Sequence, residues 1–153
     1  MLYRIIVAGS RTFTDKTLLY RVCDEQIAEI MKNDEEATVQ IISGGARGAD
    51  KLAEMYAHDR RLSNIILPAQ WNKYGKKAGM LRNGDMARIA NKKDGKGMLI
   101  AFWDGQSRGT QNMIFRSNES GNIKVVVFRT DLNGYQNWQH VSSQDESGGP
   151  DRQ

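Results

Sequence analysis

Residues 43–50, with the sequence SGGARGAD, follow a short apolar strand signal at 39–42 and lead into an amphipathic helix signal that begins near Arg47. Glycines at such a junction let the backbone approach a ligand closely, and the first amides of the helix have no partner inside it. Both features are typical of phosphate-binding turns. The glycine spacing matches neither the dinucleotide-binding fingerprint nor a P-loop with its lysine. The junction therefore predicts a site for an anion without identifying its class.

The apolar patterns on either side of this junction alternate between strands and helices. Short apolar runs predict five buried strands, at 3–8, 39–42, 64–67, 98–103 and 123–128. Apolar residues spaced three and four apart predict four helices, at 16–32, from about 47, at 77–91 and at 109–118. Because strands alternate with helices, the crossovers should be right-handed and the strands parallel. We therefore expect an α/β protein, a Rossmann-like doubly wound sandwich of about five parallel strands with helices on both faces.

Length and composition favour one intracellular domain. With 153 residues the chain can form a single core, and we expect one domain at 1–130 and a polar tail at 131–153, disordered from about 142. Cys23 has no partner for an internal disulfide, and with two histidines we expect no metal site. No apolar run is long enough to span a membrane, and the chain begins with a strand pattern, so we expect no signal peptide and a cytoplasmic location. The net charge of +4 is scattered and does not by itself indicate a nucleic-acid binder.

The loops after parallel strands meet at the carboxyl edge of the sheet, where ligands bind in this class of fold. Four of these loops are rich in glycine, hydroxyl, arginine or tryptophan residues, whereas the loops at the opposite edge lack that chemistry. We expect these loops, together with the helix before the fourth strand, to form the site. The candidate ligand-binding residues are Gly9, Ser10, Arg11, Ser43, Gly44, Gly45, Arg47, Gly48, Asp50, Trp71, Tyr74, Gly75, Arg82, Asn83, Asp104, Gly105, Ser107, Gly109 and Thr110.

Four motifs carry a family resemblance. GSRTFTD at 9–15, SGGARGAD at 43–50, PAQWNKYGKKAGMLRN at 68–83 and AFWDGQSRGTQNMI at 101–114 resemble, in order and spacing, the YspA-type branch of the SLOG superfamily. The resemblance runs from about residue 5 to residue 128. It implies a Rossmann-like domain that binds a phosphorylated nucleoside or an ADP-ribose-like molecule as a sensor, sequestering protein or weak hydrolase, with no other cofactor expected.

The LOG phosphoribohydrolases belong to the same superfamily and suggest one alternative. As the resemblance implies, they cleave the N-glycosidic bond of a nucleoside monophosphate with an arginine and a glutamate. Arg82 matches the arginine, but Met113 stands at the glutamate position, and a thioether cannot transfer a proton. Asp104 either replaces the missing acid or base or makes a turn. Enzymatic activity stays open, and binding is favoured over hydrolysis.

DNA-processing protein A, another member of the superfamily, suggests single-stranded nucleic acid as an alternative ligand. It resembles this chain at the first two motifs, but no basic strip interleaved with aromatic residues is evident here. Trp71, Tyr74 and Trp103 could stack on bases or serve packing, and Tyr74 with Gly75 could shape a flap that Trp71 anchors. A small nucleotide needs only one of these aromatic residues, so it is the favoured partner.

The resemblance and the turn together suggest roles for the charged residues. Amides at the starts of the second and fourth predicted helices would surround a phosphate, which Arg11, Arg47 or Arg82 would neutralise. Asp50 either accepts a ribose hydroxyl or stabilises the first turn of its helix.

The oligomeric state stays open. Apolar residues of the third predicted helix could form a dimer contact or belong to the core; they are Met80, Leu81, Met86 and Ile89.

Overall fold

A computed structural model describes residues 1–137, so the predicted disorder from about 142 lies outside the described residues. The strands are β1 (Leu2–Gly9), β2 (Thr38–Ser43), β3 (Ser63–Ile66), β4 (Lys96–Trp103), β5 (Ile123–Arg129) and β6 (Gly134–Gln136). The helices are α1 (Lys16–Asn33), α2 (Ala49–Asp59), α3 (Trp71–Tyr74), α4 (Ala78–Ala90) and α5 (Arg108–Glu119), and a 3₁₀ turn (Gly75–Lys77) joins α3 to α4. Every predicted strand and helix is present, with bounds that differ by one or two residues.

One sheet contains all six strands, in the order β3-β2-β1-β4-β5-β6. The first five run parallel, as β1 pairs with both β2 and β4, β3 with β2, and β5 with β4. Side chains of a strand alternate between the two faces. Ile5 and Val7 pack in a core with α1 and α2, whereas Ile6 and Ala8 pack in a second core with α4 and α5. The predicted Rossmann-like doubly wound sandwich is confirmed.

The sixth strand is the main difference from the predicted fold, because β6 lies in the stretch expected to be a polar tail. It runs antiparallel to β5, and Phe128 faces Tyr135 across the pair. The turn between them contains Asn133 at φ 55, a conformation that asparagine tolerates. Arg129 forms an ion pair with Asp131 and donates a 2.9 Å hydrogen bond to Gln136. These contacts make a polar segment part of the sheet.

Strand order reverses between β1 and β4, because the chain builds outward from β1 to β3 and then returns to the other side of β1. The loops that follow β1 and β4 therefore diverge and leave a crevice at the carboxyl edge. The helices α2 and α4, from opposite faces, begin beside this crevice.

A polar network between α1 and α2 fixes α2. Asp24 accepts hydrogen bonds from Nε and a terminal nitrogen of Arg60, at 3.0 and 2.8 Å, and from the hydroxyl of Tyr56 at 2.6 Å. The hydrogen bond from Arg60, more than the other contacts, lowers the pKa of Asp24. The Tyr56 ring is buried and packs edge to face on Tyr20.

Candidate functional site

A cavity of about 440 Å³ opens at the carboxyl edge of the sheet, beside the switch point between β1 and β4. Its volume lies in the range of small-molecule sites, roughly 300 to 1,000 Å³. Of the residues predicted for the site, those in its wall are Gly9, Ser10, Arg11, Asp50, Trp71, Arg82, Asn83, Ser107, Gly109 and Thr110. The connections after β1, β2, β3 and β4 thus meet, together with α4, where the topology predicts.

The other predicted residues lie outside the wall. They are Ser43, Gly44, Gly45, Arg47, Gly48, Tyr74, Gly75, Asp104 and Gly105. Several of them shape the loops that carry the wall, and a direct role of any of them in ligand binding stays a prediction.

Nine wall residues were not predicted. Those within the four motifs are Thr12, Ala46, Lys76, Gly79, Met80, Arg108 and Met113. The remaining two, Ala8 and Met86, are buried and form part of the deep wall with Met113. Their apolar character predicted core positions and gave no signal of a cavity.

The glycine-rich turn after β2 is held by two side chains of the cavity wall. The buried Asp50 accepts a 3.1 Å hydrogen bond from the amide of Ala46 and a further backbone hydrogen bond from Gly44. Arg82 donates a hydrogen bond to the carbonyl of Gly44 at 2.5 Å. A Cβ at position 44 would lie 2.7 Å from both the Asp50 carboxylate and the Arg82 guanidinium carbon, so any larger residue would displace these two side chains. Asp50 therefore has a structural role in this turn.

The start of α2 also holds the loop after β1. Gly48 has a φ of +79°, and the amide of Ala49 donates a 3.2 Å hydrogen bond to the carbonyl of Ser10. A Cβ at position 48 would lie 2.6 Å from the carbonyl carbon and oxygen of Arg11. The amide of Ala49 is thus already hydrogen-bonded within the protein, so one of the amides expected to bind phosphate at the start of α2 is not available.

The loop before α5 is ordered by its own side chains. Asp104 accepts hydrogen bonds from the amides of Gln106 and Ser107, at 2.8 and 2.7 Å, so its carboxylate makes a turn. The hydroxyl of Ser107 caps α5 by accepting from the amide of Thr110 and lies 3.1 Å from the hydroxyl of Thr110. Around Gly109 there is open space, since a Cβ there would meet no atom within 4 Å. The exposed start of α5 thus faces the cavity.

Arg82 and Asn83 connect α4 to the loops after β2 and β3 and to α5. Arg82 donates from Nε to Asn83 at 3.1 Å, and its NH1 reaches the carbonyl of Leu67 at 3.3 Å. The buried amide of Asn83 donates to the carbonyl of Gly109 at 3.1 Å and to the side chain of Asn112 at 3.0 Å. This network fixes the Arg82 guanidinium in the wall.

The charges at the wall favour an anion. Arg11, Lys76, Arg82 and Arg108 line the cavity together with one carboxylate, that of Asp50. Burial, and then the nearby charge of Arg11, lower the pKa of Arg82, while Asp50 opposes that change. Burial likewise raises the pKa of Asp50. Within residues 1–137 no group of His, Cys, Asp and Glu side chains could hold a metal ion.

The positions predicted for a dimer contact divide between surface and core. Met80 and Leu81 are exposed, whereas Met86 is buried and Ile89 packs against the core. The oligomeric state itself stays a prediction. No helix in the described part of the chain is long and apolar enough to cross a membrane.

The doubly wound sheet, with a cavity at its switch point, places the chain in the Rossmann-like class of α/β proteins. The profile of the YspA, cpYpsA-related SLOG family matches residues 3–74. The chain is also 32% identical over 130 residues to the Gene 61 protein of Mycobacterium phage D29, a match that covers 82% of this chain and 95% of that protein. The chain therefore belongs to the YspA, cpYpsA-related SLOG family, as the motifs predicted. Membership suggests a nucleotide-related ligand.

Proposed function

We propose that the protein binds a phosphorylated nucleoside or an ADP-ribose-like molecule in the cavity at the carboxyl edge of the sheet, acting in the cytoplasm as a sensor or sequestering protein. The observation that carries the proposal is the composition of the wall, where four cationic side chains stand with one carboxylate around about 440 Å³. Membership of a SLOG family supports the same ligand class.

The phosphate is expected between Arg82 and the start of α5. The helix dipole and the unpaired first amides of a helix favour an anion there, and Arg82 is already held in the wall. A hydrogen bond to a charged group contributes roughly 1.5 to 3 kcal/mol net. Micromolar affinity corresponds to about 8 kcal/mol, so a few such bonds with apolar contacts suffice once ordering costs are counted.

A small ligand is favoured over a nucleic-acid strand by the placement of the aromatic residues. Trp103, one of the three proposed for base stacking, is 7% exposed and donates from its indole nitrogen to the carbonyl of Ser107. Trp71 and Tyr74 are exposed on the adjacent α3. A strand of several nucleotides needs successive stacking platforms along a basic groove. Trp71 alone lines the cavity among these three, which suits one base.

The test is a thermal-shift screen of nucleoside monophosphates, cyclic nucleotides and ADP-ribose, with the corresponding phosphate-free nucleosides as controls. At a ligand concentration of 100 times Kd the expected stabilisation is about 2.7 kcal/mol. An oligonucleotide titration at two salt concentrations runs in parallel. If no nucleotide stabilises the protein and oligonucleotides bind with a steep salt dependence, the proposal is wrong and the nucleic-acid alternative replaces it.

N-glycosidic hydrolysis is a second candidate function, and Asp50 is the observation that favours it. Among residues 1–137 Asp50 contributes the one carboxylate of the cavity wall, and burial raises its pKa, which is the change that a general acid needs. In this reaction the carboxyl donates its proton to the leaving base as the bond from C1′ to the base nitrogen breaks, water adds to C1′ of the ribose, and the proton that the water loses returns to the carboxylate. Incubating nucleoside monophosphates with wild-type protein and Asp50→Asn, followed by chromatography, tests it. Free base produced by the wild type but not by Asp50→Asn would support hydrolysis with Asp50 as the acid. Equal amounts of free base from the two proteins would show that Asp50 is not the acid.

A further inference from the structure

The rim of the cavity carries an arginine stacked on a tryptophan. The Arg11 guanidinium lies over the Trp71 ring, 5.4 Å from its centre, and both residues line the cavity. Within residues 1–137 Arg11 donates no hydrogen bond and joins no ion pair, so its N–H groups are available to a ligand. Trp71 is 47% exposed.

The indole is held at this rim by α4. A Cβ at Gly79 would lie 3.3 Å from the outer edge of the Trp71 ring, so the ring packs closely against the first turn of the helix. A half-exposed ring that is packed at one edge, and whose face is covered by the guanidinium of an exposed arginine, becomes a platform for a second flat group once that guanidinium moves aside.

Arg82 and Arg11 differ in their freedom to move. Arg82 is fixed by hydrogen bonds to Gly44, Leu67 and Asn83. Arg11 is exposed and contacts the Trp71 ring. Its positive charge lies close enough to Arg82 to lower the pKa of that residue. An anion between the two guanidinium groups would remove this repulsion, and Arg11 is the group that can move toward it.

We propose that Arg11 and Trp71 form the subsite that selects ligands carrying both an aromatic ring and an anionic group. The ring stacks on the indole, and Arg11 exchanges its contact with the indole for the anion. The exchange is favourable because an exposed cation–π contact is worth roughly a two- to fivefold change in an equilibrium. Stacking of a base on an aromatic side chain is worth roughly 5- to 150-fold. This inference rests on the proposed function.

The subsite is tested by calorimetric titration with AMP, GMP, CMP, UMP and ADP-ribose. Ribose 5-phosphate, which has no aromatic base, is the control ligand. Trp71→Ala should weaken nucleotide binding roughly 5- to 150-fold and leave ribose 5-phosphate unchanged, and Trp71→Phe should restore most of the loss. Arg11→Ala should weaken both classes of ligand roughly 10- to 150-fold. Arg21→Ala, an exposed arginine on α1 away from the cavity, is the matched control.

Each outcome decides between the two proposals. If the wild type binds nucleotides and Trp71→Ala binds them equally well, or no worse than Trp71→Phe, the subsite is wrong while the proposed function stands. If Trp71→Ala weakens ribose 5-phosphate as much as nucleotides, Trp71 supports the loop instead of stacking on a ring, and the inference is again overturned. If ribose 5-phosphate binds too weakly to measure, the comparison of alanine with phenylalanine decides alone. If the wild type binds none of the six compounds, the proposed function fails and the inference fails with it.

Discussion

Replacing Gly48 by alanine should destabilise the protein through two separable costs. Gly48 combines a φ of +79° with a ψ of −130°, a conformation that costs an alanine about 1 to 3 kcal/mol. The new methyl group would also lie 2.6 Å from the Arg11 carbonyl, and such overpacking costs about 1 to 3 kcal/mol. Alanine also lowers the conformational entropy of the unfolded chain, which stabilises the folded state by about 0.4 to 1 kcal/mol and offsets part of these costs. The net loss is therefore about 1 to 5.5 kcal/mol in the free energy of unfolding.

Two other glycines provide controls for these costs. Gly75 has a φ of +61° with a ψ of −135° and open space around it, so Gly75→Ala carries the conformational cost alone and should lose about 0 to 2.5 kcal/mol. Gly121 has neither a positive φ nor a neighbour within 4 Å, so Gly121→Ala should be neutral or gain about 0.4 to 1 kcal/mol. Urea unfolding of the three variants measures the series. Equal stability of Gly48→Ala and Gly75→Ala would refute the close approach of α2 to the Arg11 loop as the source of the cost.

Two further predictions concern the networks that hold the site. Arg82→Lys keeps the charge, and its ammonium can replace the two hydrogen bonds that NH1 donates to Gly44 and Leu67, but not the one that Nε donates to Asn83. It should therefore lower the free energy of unfolding by about 1.5 to 3 kcal/mol and shift the urea midpoint accordingly; an unchanged midpoint would show that the hydrogen bond to Asn83 does not stabilise the protein. Asp24 has a pKa lowered mainly by Arg60, so its contribution should be complete above its ordinary value of 3.8 and be lost as the pH falls through the lower folded pKa. The stability difference between wild type and Asp24→Asn should therefore shrink between pH 6 and pH 3, and a constant difference would contradict the ion pair as its cause.

The sequence was sufficient for the five parallel strands because their signal is local. A short β-branched run such as the one ending at Ala8 is buried on both faces, and strict alternation with helices leaves few topologies. β6 could not be predicted in this way, because Gly134–Gln136 is polar and joins the sheet through contacts set by tertiary structure. The ion pair of Arg129 and the packing of Tyr135 on Phe128, with ring centres 5.2 Å apart, depend on the finished hairpin.

The position of the cavity could be predicted from topology, since loops at the carboxyl edge of a parallel sheet converge. Topology does not predict which residues of each loop line the cavity. Ser43 belongs to the glycine-rich motif yet is fully buried outside the wall, whereas Met86 reads as a core residue and lines the cavity. The difference depends on how α4 packs against the sheet, and hydrophobic periodicity does not encode that rotation to within one side chain.

Binding and hydrolysis place different demands on Asp50. A binding protein needs this carboxylate to keep the turn after β2 in place, and the amides of Ala46 and Gly44 donate to it in that role. A hydrolase needs it to hold and release a proton, which would weaken the same hydrogen bonds during each turnover. Among residues 1–137 the cavity wall contains no second carboxylate that could share this role, and Met113 lines the cavity at the position for which the resemblance to the LOG phosphoribohydrolases implies a glutamate. Because the residue that could act as the acid also supports the glycine-rich turn after β2, the arrangement agrees better with the proposed binding role than with hydrolysis.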